Sequence, residues 1–487
     1  LYCEYPIQVD ISTGDLRKLA KAWIERAGVV TTSAEVGSQL INGKKALREN
    51  FPVKTSHPGA TNKVNVFFEE MLDSVRTLHP LKYFQMLSYL GQLVGKHDDQ
   101  MSAWLIYGTL MVGELDSPYA WSSAVLQHPG EAKKLSTALK GIGANGNLLG
   151  AKMVECDTLQ GRGVVPLDLA AEAIKRVKLD KCQEGFAGVD PKALEAAITA
   201  ILEEELEGVL EFKDLDAFWD KRWLWCVNGS HAKILERARP GYKTGELPGI
   251  SNYYRRVFAE CCQQNPIPGW DGHVFVTASE KLEHGKTRAI FACDTVSYFA
   301  FEHLMQEVEK GWKGARILLD PGRGGTTGIV ERVRTMQKEG SVDMMLDYDD
   351  FNSQHSLASQ QMVIRLTCEK TGYPTELADK LVMSFNHMHI HNRGRDVGVA
   401  AGTLMSGHRC TTYINSVLNA AYIRASLGPT LYGGVASVHV GDDVYIRAPS
   451  YYACSTIVER MRESGCRMNP SKQSVGIYTA EFLRTAI

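Results

Sequence analysis

Four consecutive segments in the last third of this 487-residue chain restrict its fold more than anything else in it. Val342–Leu346 is an apolar run of strand length that ends in the acidic cluster Asp347, Tyr348, Asp349 and Asp350. Residues 411–427 carry Ile414, Val417, Leu418 and Ala421 at helical spacing, and Gly428 and Pro429 mark the end of that helix. Ala436–Val440 and residues 444–448 are short strand-like runs on either side of Gly441, Asp442 and Asp443, the pattern of a tight hairpin with acids at its tip. Residues 450–464 then set Cys454, Ile457, Val458 and Met461 on one helical face before Gly465. The order is strand, helix, hairpin, helix, with carboxylates at strand ends.

Asp347 and Asp442 are 95 positions apart, yet both fall at the exposed end of a strand. If those strands are neighbours in one sheet, the carboxylates converge and suit two divalent cations about 3.5 to 4 Å apart. Such a pair activates an attacking 3′-hydroxyl and stabilises leaving pyrophosphate; alone, Gly-Asp-Asp is equally compatible with an ordinary turn. Ser406 and Gly407 precede the helix, while Thr411 and Asn415 share one of its faces at i and i+4. That polar face suits a ribose 2′-hydroxyl, although helix capping would also explain Ser406 and Thr411. Lys281, Lys286 and Arg288 form a basic run suited to a triphosphate, or to a solvated face. Lys472, eight residues beyond Ser464, is placed to protonate departing pyrophosphate, unless it is simply a surface lysine. Phe482, Leu483 and Arg484 read as the start of a strand that grips a primer, or as core.

The first 210 or so residues read as mainly helical, with Ser12 or Thr13 capping residues 15–26 and an amphipathic run over residues 191–210, and nothing there looks catalytic. From about Lys221 the aromatic and basic content rises, with Trp223, Trp225, Tyr253, Tyr254, Arg255 and Arg256, which points to a different surface role. The run Pro321, Gly322, Arg323, Gly324, Gly325 lacks the phosphate-loop lysine and reads as a flexible loop. A chain of this length needs two or three subdomains around a cleft. With a formal charge of -2, any RNA-binding surface must be local. The 11 cysteines show no zinc spacing and read as reduced thiols. The apolar stretch 103–113 is too short to span a bilayer. The chain opens at Leu1 without a leader and stops at Ile487 soon after the last of these segments, so it reads as a piece of a longer polypeptide.

Taken in order, these segments resemble the polymerase motifs of positive-strand and double-stranded RNA viruses, with wording closest to the totivirus group and its victoriviruses. Lys281-Leu-Glu-His-Gly-Lys286-Thr-Arg288 is similar to motif F, and Asp347-Tyr-Asp-Asp-Phe-Asn352-Ser-Gln-His355 looks like motif A. Ser406-Gly407-x-x-x-Thr411-x-x-x-Asn415 has the motif B pattern, and Gly441-Asp442-Asp443 that of motif C. Residues 465–472 and 481–484 are similar to motifs D and E, and Trp225-Cys-Val-Asn228-Gly229-Ser230-His231 resembles a block of totivirus polymerases that guides template. Many relatives carry aspartate five residues after the first acid of motif A, where this chain has Asn352, which can hydrogen-bond ribose but adds no charge.

The resemblance implies an α+β right hand with a helical N-terminal and fingers region, an antiparallel palm sheet and most of the thumb missing. Residues 1–220 would be helical extension and fingers, 221–340 fingers and the start of the palm, and 341–487 palm, with 355–400 partly fingers. Asp347, Asp442 and Asp443 would hold two Mg2+ ions, or Mn2+, and Lys472 would act as general acid. Lys281, Lys286 and Arg288 would bind triphosphate; Asn352, Ser406, Gly407, Thr411 and Asn415 would read the sugar; Asn228, Gly229 and Ser230 would touch template. RNA template and product, ribonucleoside triphosphates and viral capsid protein are the implied partners, without a membrane, in the virion interior and host cytoplasm. The rivals are a reverse transcriptase, which the motif B pattern disfavours, and a non-catalytic RNA-binding, capsid-associated protein.

Overall fold

In the computed structural model, residues 6–54, 66–162, 165–231, 254–262, 264–321 and 324–487 are described. The N-terminal helices close on a core of their own, in which Leu16, Met86, Trp104, Trp121 and Met153 are fully buried. Helix Thr13–Ala27 begins where Ser12 accepts a hydrogen bond from Asp15 N, and stops at Gly28, whose φ of 63° lets the chain turn off the helix. Helix Pro191–Glu205 ends five residues before the apolar run suggests, because Leu206 leaves it in extended geometry. Its last residue is nonetheless buried: Glu205 accepts from the backbone N–H groups of Ala315, Arg316 and Ile317 at 2.7 to 2.9 Å.

The strands in chain order are β1 (Val274–Glu283), β2 (Lys286–Cys293), β3 (Val342–Leu346), β4 (Met388–Asn392), β5 (Arg395–Val399), β6 (Ala436–Val440), β7 (Asp443–Ala448), β8 (Ser474–Gly476), β9 (Glu481–Phe482) and β10 (Thr485–Ala486). One sheet has the order β2-β1-β4-β5, with β1 and β4 parallel. A second sheet, ordered β6-β7-β3-β8, is antiparallel throughout. Helices Thr411–Gly433 and Tyr451–Glu463 pack with this second sheet, burying Ile414, Val417, Leu418, Ile457 and Met461 almost completely. Each such aliphatic side chain stabilises the packing by about 1.5 to 3 kcal/mol. The chain is thus α+β, as expected.

Several local expectations change. β7 begins at Asp443 rather than one residue later, because Asp443 pairs with Val440 and leaves a two-residue turn. Helix Thr411–Gly433 breaks at Gly428, with φ 72° and ψ 167°, but resumes after Pro429, which fits the first turn of a new helical stretch. Leu483 and Arg484 do not begin a strand: at φ 51° and 61° they form the turn between β9 and β10. The glycine-rich loop gives way to helix Gly325–Met336, and residues 322 and 323 lie outside the described residues. The aromatic and basic cluster is only partly superficial. Trp225 stacks on Phe218 in the core, buried Arg255 lies 3.6 Å over the Tyr298 ring, and Tyr253 lies outside the described residues. Among the described residues the cysteines are free and no helix is long and apolar enough to cross a membrane.

Candidate active site

The two acidic strand ends meet because β3 and β7 are direct neighbours. Leu346 faces Val444 in the register, so Asp347, just past β3, and Asp443, the first residue of β7, lie at the same end of the sheet, beside the β6–β7 turn that carries Asp442. Gly441 opens this turn at φ 60°, the conformation a two-residue hairpin asks of its first residue. Helix Thr411–Gly433 fixes the turn from the side: Ser416 Oγ accepts from Gly441 N at 2.7 Å and Asn419 Nδ2 donates to Gly441 O at 3.1 Å. His439 in turn bonds Asn419 Oδ1 at 3.1 Å and Ser437 Oγ at 2.9 Å, and burial pushes its pKa down to about 3, so the ring stays neutral. Asp347 is gripped through its backbone, with Gln473 Nε2 donating to its carbonyl at 2.9 Å and Asn469 N at 3.1 Å. None of these contacts uses a carboxylate oxygen of Asp347, Asp442 or Asp443.

Asp347, Asp442 and Asp443 line one cleft of about 900 Å³. The Asp443 carboxyl is pushed up to about 6, first by the cleft walls that crowd it and then by the charges of Asp442, Asp347 and Glu481, against which Arg484 acts. By surface area Asp443 is exposed, so water screens part of that repulsion. Lys472 Nζ donates to Asp347 Oδ1 at 2.9 Å, an ion pair about two-fifths exposed and worth roughly 0 to 1 kcal/mol. A cation here is therefore easily exchanged for another.

The β1–β2 hairpin lines the same cleft. Its turn brings Lys281, Lys286 and Arg288 around Glu283, at 3.0, 3.7 and 3.0 Å. One acid cannot neutralise three cations. Lys286 is held below its usual pKa by burial and then by Arg288, with Lys133 and Lys472 adding to the repulsion and Glu283 opposing it. Lys133 and Lys140, from helix Pro129–Gly141, and Lys175 and Arg176, from helix Leu169–Val177, line the same cleft. The sequence alone points to no chemistry in that region, since a lysine on an amphipathic helix is ordinarily solvated.

On the third side lie Asn352, Ser406 and Asn415. Asn415 Nδ2 donates to Asn352 Oδ1 at 2.8 Å, and Ser406 Oγ accepts from Phe291 N at 3.0 Å. Gly407 does not line the cleft but lies flat on β2, bonded to Phe291 O through its N–H, and a Cβ there would fall 2.6 Å from Ala292 Cα. Thr411 also stays off the cleft: its hydroxyl lies 2.8 Å from Met405 O and 2.7 Å from His408 O, tying the loop to the helix start. Asn228, Gly229 and Ser230 are not brought to the cleft either. Gly229 packs on the Arg255 guanidinium and Ser230 bridges to Tyr254. Ser416, Asn419 and His439 escaped the sequence reading, although Asn419 continues the i, i+4 row of Thr411 and Asn415, and Ser437 and His439 alternate along β6.

The family model for viral RNA-directed RNA polymerases matches residues 37–487. The chain is 38% identical to the probable RNA-directed RNA polymerase of Helminthosporium victoriae virus-190S, over all of this chain and 60% of that one. It is 37% identical to the counterpart from Leishmania RNA virus 1 - 1, over 92% of this chain and 50% of that one. With the counterpart from Saccharomyces cerevisiae virus L-A identity is 27%, over 68% and 22%. The chain thus spans half to three-fifths of the first two relatives. Among solved structures, the RNA-dependent RNA polymerase of a human picorbirnavirus aligns over 72% of this chain and 70% of that one, with 13% identity and a TM-score of 0.45.

Proposed function

Because the chain belongs to the viral RNA-directed RNA polymerase family, we propose that it is the catalytic part of an enzyme that joins ribonucleoside triphosphates along an RNA template. The observation that carries this reading is the convergence of Asp347, Asp442 and Asp443 in one cleft that the cations of the β1–β2 hairpin also line. Carboxylate oxygens suit Mg2+ or Mn2+, and the crowding of negative charge around Asp443 favours a cation there. Among the described residues no group of three or more His, Cys, Asp or Glu side chains is placed to hold a metal ion, so an ion held by Asp347 and Asp442 would draw its remaining ligands from substrate and water. When bound, such ions neutralise the charge that builds on the phosphate during transfer.

The chain's own residues divide the remaining work. Lys281, Lys286 and Arg288 hold the triphosphate, with charge-assisted bonds that strengthen as negative charge develops. Lys133 and Lys140 extend that basic wall. Asn352 and Asn415 meet the sugar, and Ser406 fixes the loop before the helix to β2. Lys472, which contacts Asp347, would give up that contact were a divalent ion held there, and would hold a proton near the departing pyrophosphate. Residues 341–487 serve as palm and 221–340 as fingers with the start of the palm. The cations of Lys133 to Arg176 support counting part of residues 1–220 with the fingers. Capsid protein is the partner this reading assigns, and the virion interior and host cytoplasm its setting; membership of this viral family supports both.

The test is incorporation of labelled ribonucleotide on an RNA template by the full-length polymerase, wild type against Asp442→Ala. The variant is expected to fold normally and lose incorporation. Undiminished incorporation would reject the proposal.

A further inference from the structure

A row of hydrogen bonds runs from the interior to the cleft wall through Tyr422, His355, Asn415 and Asn352. His355 is fully buried, with Phe351 packed edge-on against its ring at 4.4 Å. Its Nδ1 lies 3.0 Å from the Tyr422 hydroxyl and its Nε2 lies 2.8 Å from Asn415 Oδ1. Asn415 Nδ2 donates to Asn352 Oδ1 at 2.8 Å. The row is held from outside, because Thr403 N donates to His355 O at 3.1 Å and Leu404 N to Asn352 O at 2.9 Å.

An amide oxygen can only accept, so the proton between His355 and Asn415 belongs to Nε2. Burial holds His355 down at about 4, which leaves the ring neutral with a single N–H to give. Its bare Nδ1 must then accept from the Tyr422 hydroxyl. With the proton on Nε2, turning the Asn415 amide over would set its NH2 against Nε2–H, two donors face to face, so tautomer and amide hold each other, with Nδ2 toward Asn352. Asn352 Oδ1 is thereby spent on Asn415, and what Asn352 still offers the cleft is its Nδ2.

We propose that His355 is a positioning residue: by donating from Nε2 it sets the polarity of the Asn415–Asn352 pair, so that Asn352 Nδ2 meets a hydroxyl oxygen on the sugar of the incoming nucleotide. The opposite tautomer would reverse the whole row and present an amide oxygen instead. A ribose-reading site built on a donor rejects deoxyribose because that donor is then left unpaired. This inference rests on the polymerase reading above and adds a residue that never touches the substrate.

Two measurements on the full-length protein test it. The first is the nitrogen-15 histidine spectrum, in which the His355 signal is identified by its loss in His355→Gln. A neutral ring protonated at Nε2 is expected; a ring protonated at Nδ1, or at both nitrogens, overturns the inference, whatever the activity. The second is the ratio of kcat/KM for a ribonucleotide over its deoxyribonucleotide. His355→Leu keeps the bulk but cannot donate, and the ratio is expected to fall roughly tenfold, mostly through ribonucleotide KM. His355→Gln, whose amide nitrogen reaches the place of Nε2, should recover most of it. An unchanged ratio in His355→Leu, or equal loss with both substrates, also overturns the inference. A wild-type enzyme that uses both sugars equally would instead overturn the sugar-reading role of Asn352.

Discussion

Crowding acids at one sheet end has a thermodynamic consequence that Asp443→Asn should expose. The Asp443 carboxyl rises from 3.8 to about 6 in the folded chain. About two pH units correspond to roughly 3 kcal/mol at ~1.4 kcal/mol each. Asp443 is exposed, however, and solvent screening reduces the expected figure to about 1 kcal/mol. The sign follows from which state gives up its proton first. Below pH 3.8 Asp443 is protonated folded and unfolded, and costs nothing. Between 3.8 and about 6 the unfolded chain ionises while the folded one resists, so the contribution of this group to stability is lost as pH rises through that window. In urea unfolding with EDTA, Asp443→Asn should therefore be about 1 kcal/mol more stable than wild type at pH 7.5 and match it near pH 4. Millimolar Mg2+ should shrink the gap by stabilising the wild type. A variant less stable than wild type at pH 7.5, or a gap that does not change with pH, would refute the reasoning.

Gly407→Ala should cost about 1 to 3 kcal/mol, because its Cβ meets the backbone of Ala292 and Phe291 at 2.6 to 2.9 Å and neither can swing away. Thermal unfolding measures that cost, and a parallel rise in nucleotide KM is expected as Ser406 shifts from β2. Lys472→Leu should slow the chemical step by roughly 10² to 10³ and leave nucleotide affinity unchanged. Pre-steady-state kinetics separates the two, and a weakened Kd with an intact chemical step would count against the role.

What could be read from the sequence was whatever local pattern determines. Val342–Leu346 is apolar but for Asp343 and is followed by acids, and it forms β3 over those same residues. Gly441 announces the hairpin because few other residues accept its φ. Less legible were groupings of residues far apart in the chain. Lys133 and Lys140 look like solvated helix lysines until the fold brings them into the cleft that Lys286 lines. Thr411 fits the motif B pattern, yet its hydroxyl closes on Met405 and His408, a choice made by loop geometry that spacing cannot express. The turn at Leu483 and Arg484 was hidden because neither residue type favours positive φ.

Anomalous scattering from crystals of the full-length polymerase soaked in Mn2+ would test most directly the idea that distant acids share a cation. A peak within coordination distance of both Asp347 and Asp442, absent in Asp442→Ala, is the predicted result. Manganese bound elsewhere, with those two carboxylates bare, would contradict it.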